Sequence, residues 1–273
     1  NKMVNFLRLN LINSFSPNPS VETLLHAFLP HKFVDHTHSN AILSIVNQKN
    51  NKNLCKKIFK NKIGIVPYVM PGFELAKLSI KIFKSNPEVE GLVLLNHGIF
   101  TFGSSAKQSY DRMIKFVTIA EKYISNSSKK TIKKNYIKRS IDINLIISFI
   151  RKKIHKLDKN KWIINYNNQK NNQEFFARDD INNFLTKGPV TPDHVIRIKP
   201  KPLILNLNNL SNVSKLESNI NKAIDSYALN YKKYFKRNKS LVRNSIITDS
   251  VPRIIIIPSY GHLSLGRNYK ETM

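Results

Sequence analysis

The apolar positions of the chain alternate between two spacings, one helical and one extended. Met3, Phe6, Leu7 and Leu11 recur at helical intervals and predict a helix over 3–13. The stretch Ser14-Phe15-Ser16-Pro17-Asn18-Pro19 is a loop. Ser20 then reads as the N-cap of a helix carrying Leu24, Leu25, Phe28 and Leu29, with Glu22 in its first turn and Pro30 ending it. Phe33 to Thr37 predicts a short strand, followed by a helix over 39–46 and a Lys- and Asn-rich surface segment to Asn61. Ile63 to Val69 predicts a strand near an edge or an end, because Pro67 interrupts it. Leu75, Leu78, Ile82 and Phe83 form one face of a helix over 73–84. Gly91 to Leu95 is continuously apolar, the pattern of a buried strand, and a tight turn at His97-Gly98 leads to a second strand over 99–102. Tyr110, Met113, Ile114, Val117, Ala120 and Ile124 predict a long amphipathic helix.

From Ser125 to Ser140 the chain is polar and Lys-rich, a predicted linker. Beyond it the pattern predicts a helix over 141–154, a strand over 162–166, an extended Pro-punctuated segment over 188–202, strands over 203–207 and 253–257, and a helix over 214–235. No internal repeat is legible. Strands alternating with helices place the chain in the α/β class. Two parts are expected, a core over 1–127 and a second part over 128–273.

Composition changes this picture in one respect. Across 273 residues, Lys and Arg number 45 against 17 Asp and Glu, a net charge of +28. Such an excess suggests a polyanionic partner. Yet Lys far outnumbers Arg, Asn and Ile are abundant, and aromatics are not interleaved with any basic cluster. The excess therefore reads as coding bias spread over a solvated surface, and nucleic acid is not an expected partner. The single cysteine, Cys55, excludes intrachain disulfides and Cys-based metal clusters, and reads as a buried or half-buried thiol. No apolar run approaches the ~18 residues a membrane span needs, and no signal peptide opens the chain. A cytoplasmic protein without a membrane partner is expected. Because the chain opens at Asn1 and reaches Met3 inside a predicted helix, it reads as a piece of a longer protein.

Three of the eight histidines carry the chemistry. His36 and His38 lie two apart on a predicted strand, so both imidazoles point to one face. His97 follows a buried strand, and Gly98 permits close backbone approach. If the two strands are neighbours, His97 supplies a third nitrogen, and three neutral imidazoles with an open fourth position describe a catalytic zinc site. Glu22, with His26 at i+4 on the same helix face, either serves the helix dipole or overhangs the metal as an acid/base.

The segments 19–30, 34–38, 66–76 and 90–98 resemble the class II aldolase/adducin superfamily. Within it the chain looks most similar to the aldolase part of bifunctional rhamnulose-1-phosphate aldolase/short-chain dehydrogenase proteins, a likeness that extends to 188–197 and to Pro258-Ser259-Tyr260-Gly261. The resemblance implies a three-layer α/β/α fold with a central mixed, largely antiparallel sheet covered by helices on both faces. It implies Zn²⁺ held by His36, His38 and His97, and Glu22 as the acid/base. It also implies retro-aldol cleavage of rhamnulose 1-phosphate to dihydroxyacetone phosphate and lactaldehyde, by a homotetramer. Ser20 matches a phosphate-holding position. His194 and Arg197 either reach substrate or are structural. Family members carry a Gly-Asn phosphate loop ahead of the Pro-Ser-x-Glu motif, and nothing before Ser20 matches it. No Gly-rich turn for a dehydrogenase is present, so NAD would belong only to a part outside this chain. The expectation is an N-terminally truncated piece that by itself binds zinc weakly and turns over little substrate. Other sugar-phosphate aldolases or dehydratases, and a non-catalytic adducin-like module, remain as alternatives.

Overall fold

A computed structural model describes residues 2–127, 133–136, 140–207, 212–241 and 245–273. The chain divides into two units, Asn1–Lys129 and Lys130–Met273. The first contains α1 (Lys2–Leu9), α2 (Thr23–Phe28), β1 (Phe33–Thr37), α3 (Asn40–Val46), α4 (Asn51–Phe59), β2 (Ile63–Val66), α5 (Phe73–Ser85), β3 (Gly91–Leu94), β4 (Gly98–Gly103) and α6 (Ala106–Ser127). Its four strands lie in the order β1-β4-β3-β2, with only the β2–β3 pair parallel.

Alternation along β3 and β4 divides their side chains between two cores. Leu92, Leu94, Phe100 and Phe102 pack with Leu25 of α2 and Leu75 and Phe83 of α5. Val93 and Ile99 pack on the other face with α3, α4 and α6, through Ile42, Cys55, Phe59, Met113 and Phe116. Burial on both faces is why this hairpin is apolar almost throughout. The expected mixed, largely antiparallel sheet between helical layers is thus present. The Lys-rich segment before Ile63, read from sequence as surface, contains α4. Leu54, Cys55, Ile58 and Phe59 form its apolar stripe, and Cys55 and Phe59 are buried. Burial pushes the Cys55 thiol up to about 12.

The second unit contains α7 (Ile143–Leu157), β5 (Ile163–Asn167), α8 (Lys170–Phe176), α9 (Ile181–Leu185), α10 (Pro192–Ile198), β6 (Leu203–Ile204), α11 (Val213–Asn238), β7 (Ile254–Ile257), β8 (Gly261–Gly266) and α12 (Tyr269–Thr272). Its strand order is β5-β8-β7-β6, again with one parallel pair, β6–β7. This is the first sheet repeated. The likeness extends to the helices, since α2 packs on α5 and α7 packs on α11. It extends to details: Thr101 Oγ1 donates to the Ser109 carbonyl at 3.0 Å, as Ser264 Oγ donates to that of Thr272 at 2.6 Å. Gln108 Oε1 accepts from Ser104 N, as Glu271 Oε2 accepts from Arg267 N, both at 2.7 Å.

The structure therefore corrects the reading that the chain has no internal repeat. The repeat lies in topology and register, which a hydrophobic pattern maintains while side-chain identities drift. A second correction concerns 188–202, read as extended. Pro192 opens α10 instead, at the one helical position where a missing N–H costs nothing. Of the predicted linker, 128–132 and 137–139 lie outside the described residues; within 133–136, the Asn135 amide donates to the Ala177 carbonyl at 2.6 Å. Among the described residues, no helix is long and apolar enough to cross a membrane.

Candidate metal centre

The site of the first unit is built by β1, the β3–β4 turn and the start of α2. In the β1–β4 register, His36 lies opposite Phe100. Its ring stacks on Phe100 with centroids 4.0 Å apart, and its Nδ1 donates to the Ile99 carbonyl at 2.9 Å. That hydrogen bond fixes the tautomer and leaves Nε2 with its lone pair turned into the site. His38 follows the end of β1, its Nε2 3.0 Å from His36 Nε2.

His97 is placed by the turn. Asn96 adopts a left-handed conformation at φ 59°, and the His97 amide closes back on the Leu94 carbonyl at 3.1 Å. The Asn96 amide donates to the Val46 carbonyl at 3.2 Å, tying the turn to α3. Gly98 then clears the room: a Cβ there would lie 2.6 Å from the Thr37 carbonyl and 2.9 Å from the His38 ring. The glycine read from sequence as permitting close approach is needed for that reason.

Glu22 occupies the N-cap of α2, but its side chain makes no capping hydrogen bond. It turns instead to the imidazoles, with Oε1 3.0 Å from His97 Nε2 and 3.5 Å from His36 Nε2. Of the two readings open from sequence, the helix-dipole one is not what the side chain does. Ser20 Oγ accepts from the Glu22 amide at 3.1 Å and so fixes the turn that carries the carboxylate. His26 packs edge-on against Phe100.

One ligand atom each from Glu22, His36, His38 and His97 lies within 4.8 Å of the others, an arrangement that could hold a metal ion. The donor chemistry fits. Two imidazole nitrogens facing each other at 3.0 Å need a shared proton or a cation between them. Burial pushes His36 down to about 4, so its imidazole is neutral at ordinary pH. Burial also raises Glu22, but the His97 hydrogen bond and the fields of His36, His97 and His38 outweigh it and hold the carboxyl below its ordinary value. Three lone-pair donors and one anion are a first-row divalent metal's natural set. Sequence alone missed the supports: the Phe100 stack and the Ile99 carbonyl appear only once the strand register is known.

The other singled-out residues stand on α10 of the second unit. His194 Nδ1 lies 2.6 Å from Thr191 Oγ1, and Arg197 is in the last turn.

Residues 4–124 match the family described as Class II Aldolase and Adducin N-terminal domain, and residues 142–273 match Aldolase class II, second domain. The chain belongs to the class II aldolase/adducin superfamily. Within this superfamily setting, the chain is 34% identical to a Bacillus subtilis (strain 168) protein named Uncharacterized oxidoreductase YuxG, over 98% of the chain and 40% of that protein. The chain thus spans less than half the length of this relative. The N-terminal class II aldolase domain of a conserved Thermoplasma acidophilum protein is 47% identical, covering 45% of this chain and 56% of that one, with a TM-score of 0.41. A sugar-phosphate aldolase from Thermotoga maritima is 20% identical, covering 42% of this chain and 58% of that one, with a TM-score of 0.35.

Proposed function

We propose that the protein cleaves a ketose 1-phosphate by a zinc-dependent retro-aldol reaction. The first candidate substrate is rhamnulose 1-phosphate, giving dihydroxyacetone phosphate and lactaldehyde. The observation that carries this reading is the convergence of three imidazole nitrogens and one carboxylate oxygen within 4.8 Å. His36, His38 and His97 would hold the zinc, which when bound supplies a Lewis acid for the negative charge that develops as the carbon–carbon bond breaks.

Everything else falls to the chain's own side chains. Glu22, ionised at neutral pH, takes a proton from the dihydroxyacetone-phosphate carbon in the synthetic direction and returns it in the cleavage direction. The Ile99 carbonyl holds His36 in the tautomer that presents Nε2. The Phe100 ring prevents that imidazole from turning. Ser20 positions Glu22 by accepting from its amide, and in this reading its hydroxyl also faces the substrate phosphate. A cytoplasmic homotetramer, and a longer protein that adds a dehydrogenase part, complete the reading.

The test is release of dihydroxyacetone phosphate by the full-length protein, from rhamnulose 1-phosphate against fuculose 1-phosphate. Glu22→Gln should retain zinc and lower turnover by about 10²–10⁴-fold. Unchanged turnover in that variant removes Glu22 from the chemistry, and no product from either sugar overturns the reaction class.

A further inference from the structure

The imidazoles of the candidate metal centre are held by different means. The His36 ring is oriented through its second nitrogen, which donates to the Ile99 carbonyl at 2.9 Å. The His97 ring is buried, and its second nitrogen, Nδ1, has no hydrogen-bond partner among the described residues. A histidine ligand ordinarily relies on such a bond to fix its ring. The aim of His97 Nε2 therefore rests on the backbone, and so on whatever holds the left-handed turn at Asn96.

Three carboxamides hold it. The Val46 carbonyl, at the end of α3, accepts from the Asn96 amide at 3.2 Å and from Asn51 Nδ2 at 2.7 Å. Asn51 Nδ2 also donates to Asn96 Oδ1 at 3.3 Å, so both its protons are committed to the turn and to the carbonyl beneath it. Asn96 Nδ2 donates to Asn47 Oδ1 at 3.5 Å. Asn51 Oδ1 accepts from Lys52 N at 2.8 Å, which anchors this carboxamide in the first turn of α4.

The second unit shows what the clamp is for. Helices α8 and α9 follow β5 at the same intervals as α3 and α4 follow β1, so Ala177 stands in the place of Asn47 and Ile181 in that of Asn51. Neither has a carboxamide, and Ile181 is buried with Phe176 and Ile256 instead. The turn there carries Tyr260, whose own hydroxyl is bonded to the Ile141 backbone. A turn whose side chain anchors itself does without the clamp. The turn whose side chain must be aimed at a metal has it.

We propose that Asn51, acting through Asn96, is a positioning residue that sets the direction of His97 Nε2, and with it the geometry and affinity of metal binding. The proposal rests on the reading of His97 as a ligand, and the variants below separate the two.

Zinc affinity, by competition with a chromophoric chelator, and the visible spectrum of cobalt(II) bound in place of zinc test it. Asn51→Asp keeps the bond from Lys52 N but withdraws both donated protons. Asn96→Gly adopts the left-handed turn freely and keeps its amide bond, while removing its side chain from the clamp. Each should weaken zinc by about tenfold or more, although the first adds a negative charge, and each should alter the cobalt spectrum at saturation. A merely structural role would leave the spectrum of the folded, saturated protein unchanged. Gln48→Ala, whose side chain bonds only the Ser44 carbonyl beside the clamp, should change neither. Cys55, inert to thiol reagents while buried, certifies the fold of the first unit in each variant; should Asn51→Asp fail that check, Asn96→Gly decides alone. With His97→Ala altering the cobalt spectrum, an unaltered spectrum in Asn96→Gly, or an equal change in Gln48→Ala, would overturn the proposal and leave the metal centre standing. An unaltered spectrum in His97→Ala would overturn both.

Discussion

The same turn closes both hairpins, and it presents histidine in one unit and tyrosine in the other. Leu94 pairs with Gly98 across Leu95-Asn96-His97, and Ile257 pairs with Gly261 across Pro258-Ser259-Tyr260. Asn96 and Ser259 are both left-handed, at φ 59° and 67°. Following the register, Tyr166 stands where His36 does, and Asn168 where His38 does. Tyr260 even reaches toward the start of its preceding helix, as His97 reaches Glu22. Its hydroxyl donates to the Ile141 carbonyl at 3.0 Å and accepts from the Ile141 amide at 3.1 Å, beside the α7 N-cap Asp142. The Tyr166 hydroxyl donates to the Tyr260 carbonyl at 2.8 Å. One scaffold thus carries a cluster of nitrogen donors in the first unit and a hydrogen-bonded tyrosine pair in the second. The backbone fixes where three side chains meet; their identity decides whether the meeting place is chemical or structural.

The two units also hold charge differently. In the second, Asp249 accepts two hydrogen bonds from Arg253 and pairs with Lys199 at 3.3 Å, while Arg253 and Arg267 lie over the ring of Trp162 at 4.6 and 3.8 Å. Burial raises Asp249, but the Arg253 hydrogen bond and the Lys199 charge outweigh it and bring the carboxyl down to about 2. The first unit keeps a neutral His36 at about 4.

Between about pH 6.5 and 4 acid should cost the first unit more than the second, where burial also holds His262 below its ordinary value but by less, and the chain supplies a reporter for each: its one cysteine, Cys55, is in the first and its one tryptophan, Trp162, in the second. In metal-free protein, the unfolded first unit takes up a proton on His36 below about 6.5 that the folded one refuses until about 4. Stability falls as pH falls through that window, by roughly 3 kcal/mol. Cys55, unreactive while buried, should become accessible to an acid-active thiol reagent there. The Asp249 contribution is complete above the ordinary carboxylate value and is lost as pH falls from about 4 to about 2, roughly 2 kcal/mol read by Trp162 fluorescence. Both reporters moving together in a single step would break the comparison. The smallest effect belongs to Tyr260→Phe, which should cost the second unit about 1 kcal/mol in denaturant without shifting Cys55 exposure.

Much of the first unit was legible because its signals are local. His-x-His on a strand, His-Gly after an apolar run, and Glu22 opening a helix each occupy a few consecutive residues. What was not legible depends on partners far along the chain. The Ile99 carbonyl that orients His36 lies 63 residues away and follows only from strand register. The second unit read poorly for the same reason. Strand β8 alternates around His262 and Ser264 rather than showing a clean apolar run, and α10 sits behind a proline that suggested extension. The repeat is hidden in the sequence because Tyr166, Asn168 and Tyr260 resemble His36, His38 and His97 in position only.

The central claim is that the scaffold holds a metal in its first unit and not in its second. Equilibrium dialysis of the protein against zinc, with metal counted per chain, tests this most directly. The account predicts one zinc ion per chain, lost in His36→Ala with His38→Ala and unchanged in Tyr166→Phe with Tyr260→Phe. Zinc retained by the histidine variant, or lost from the tyrosine variant, would contradict it.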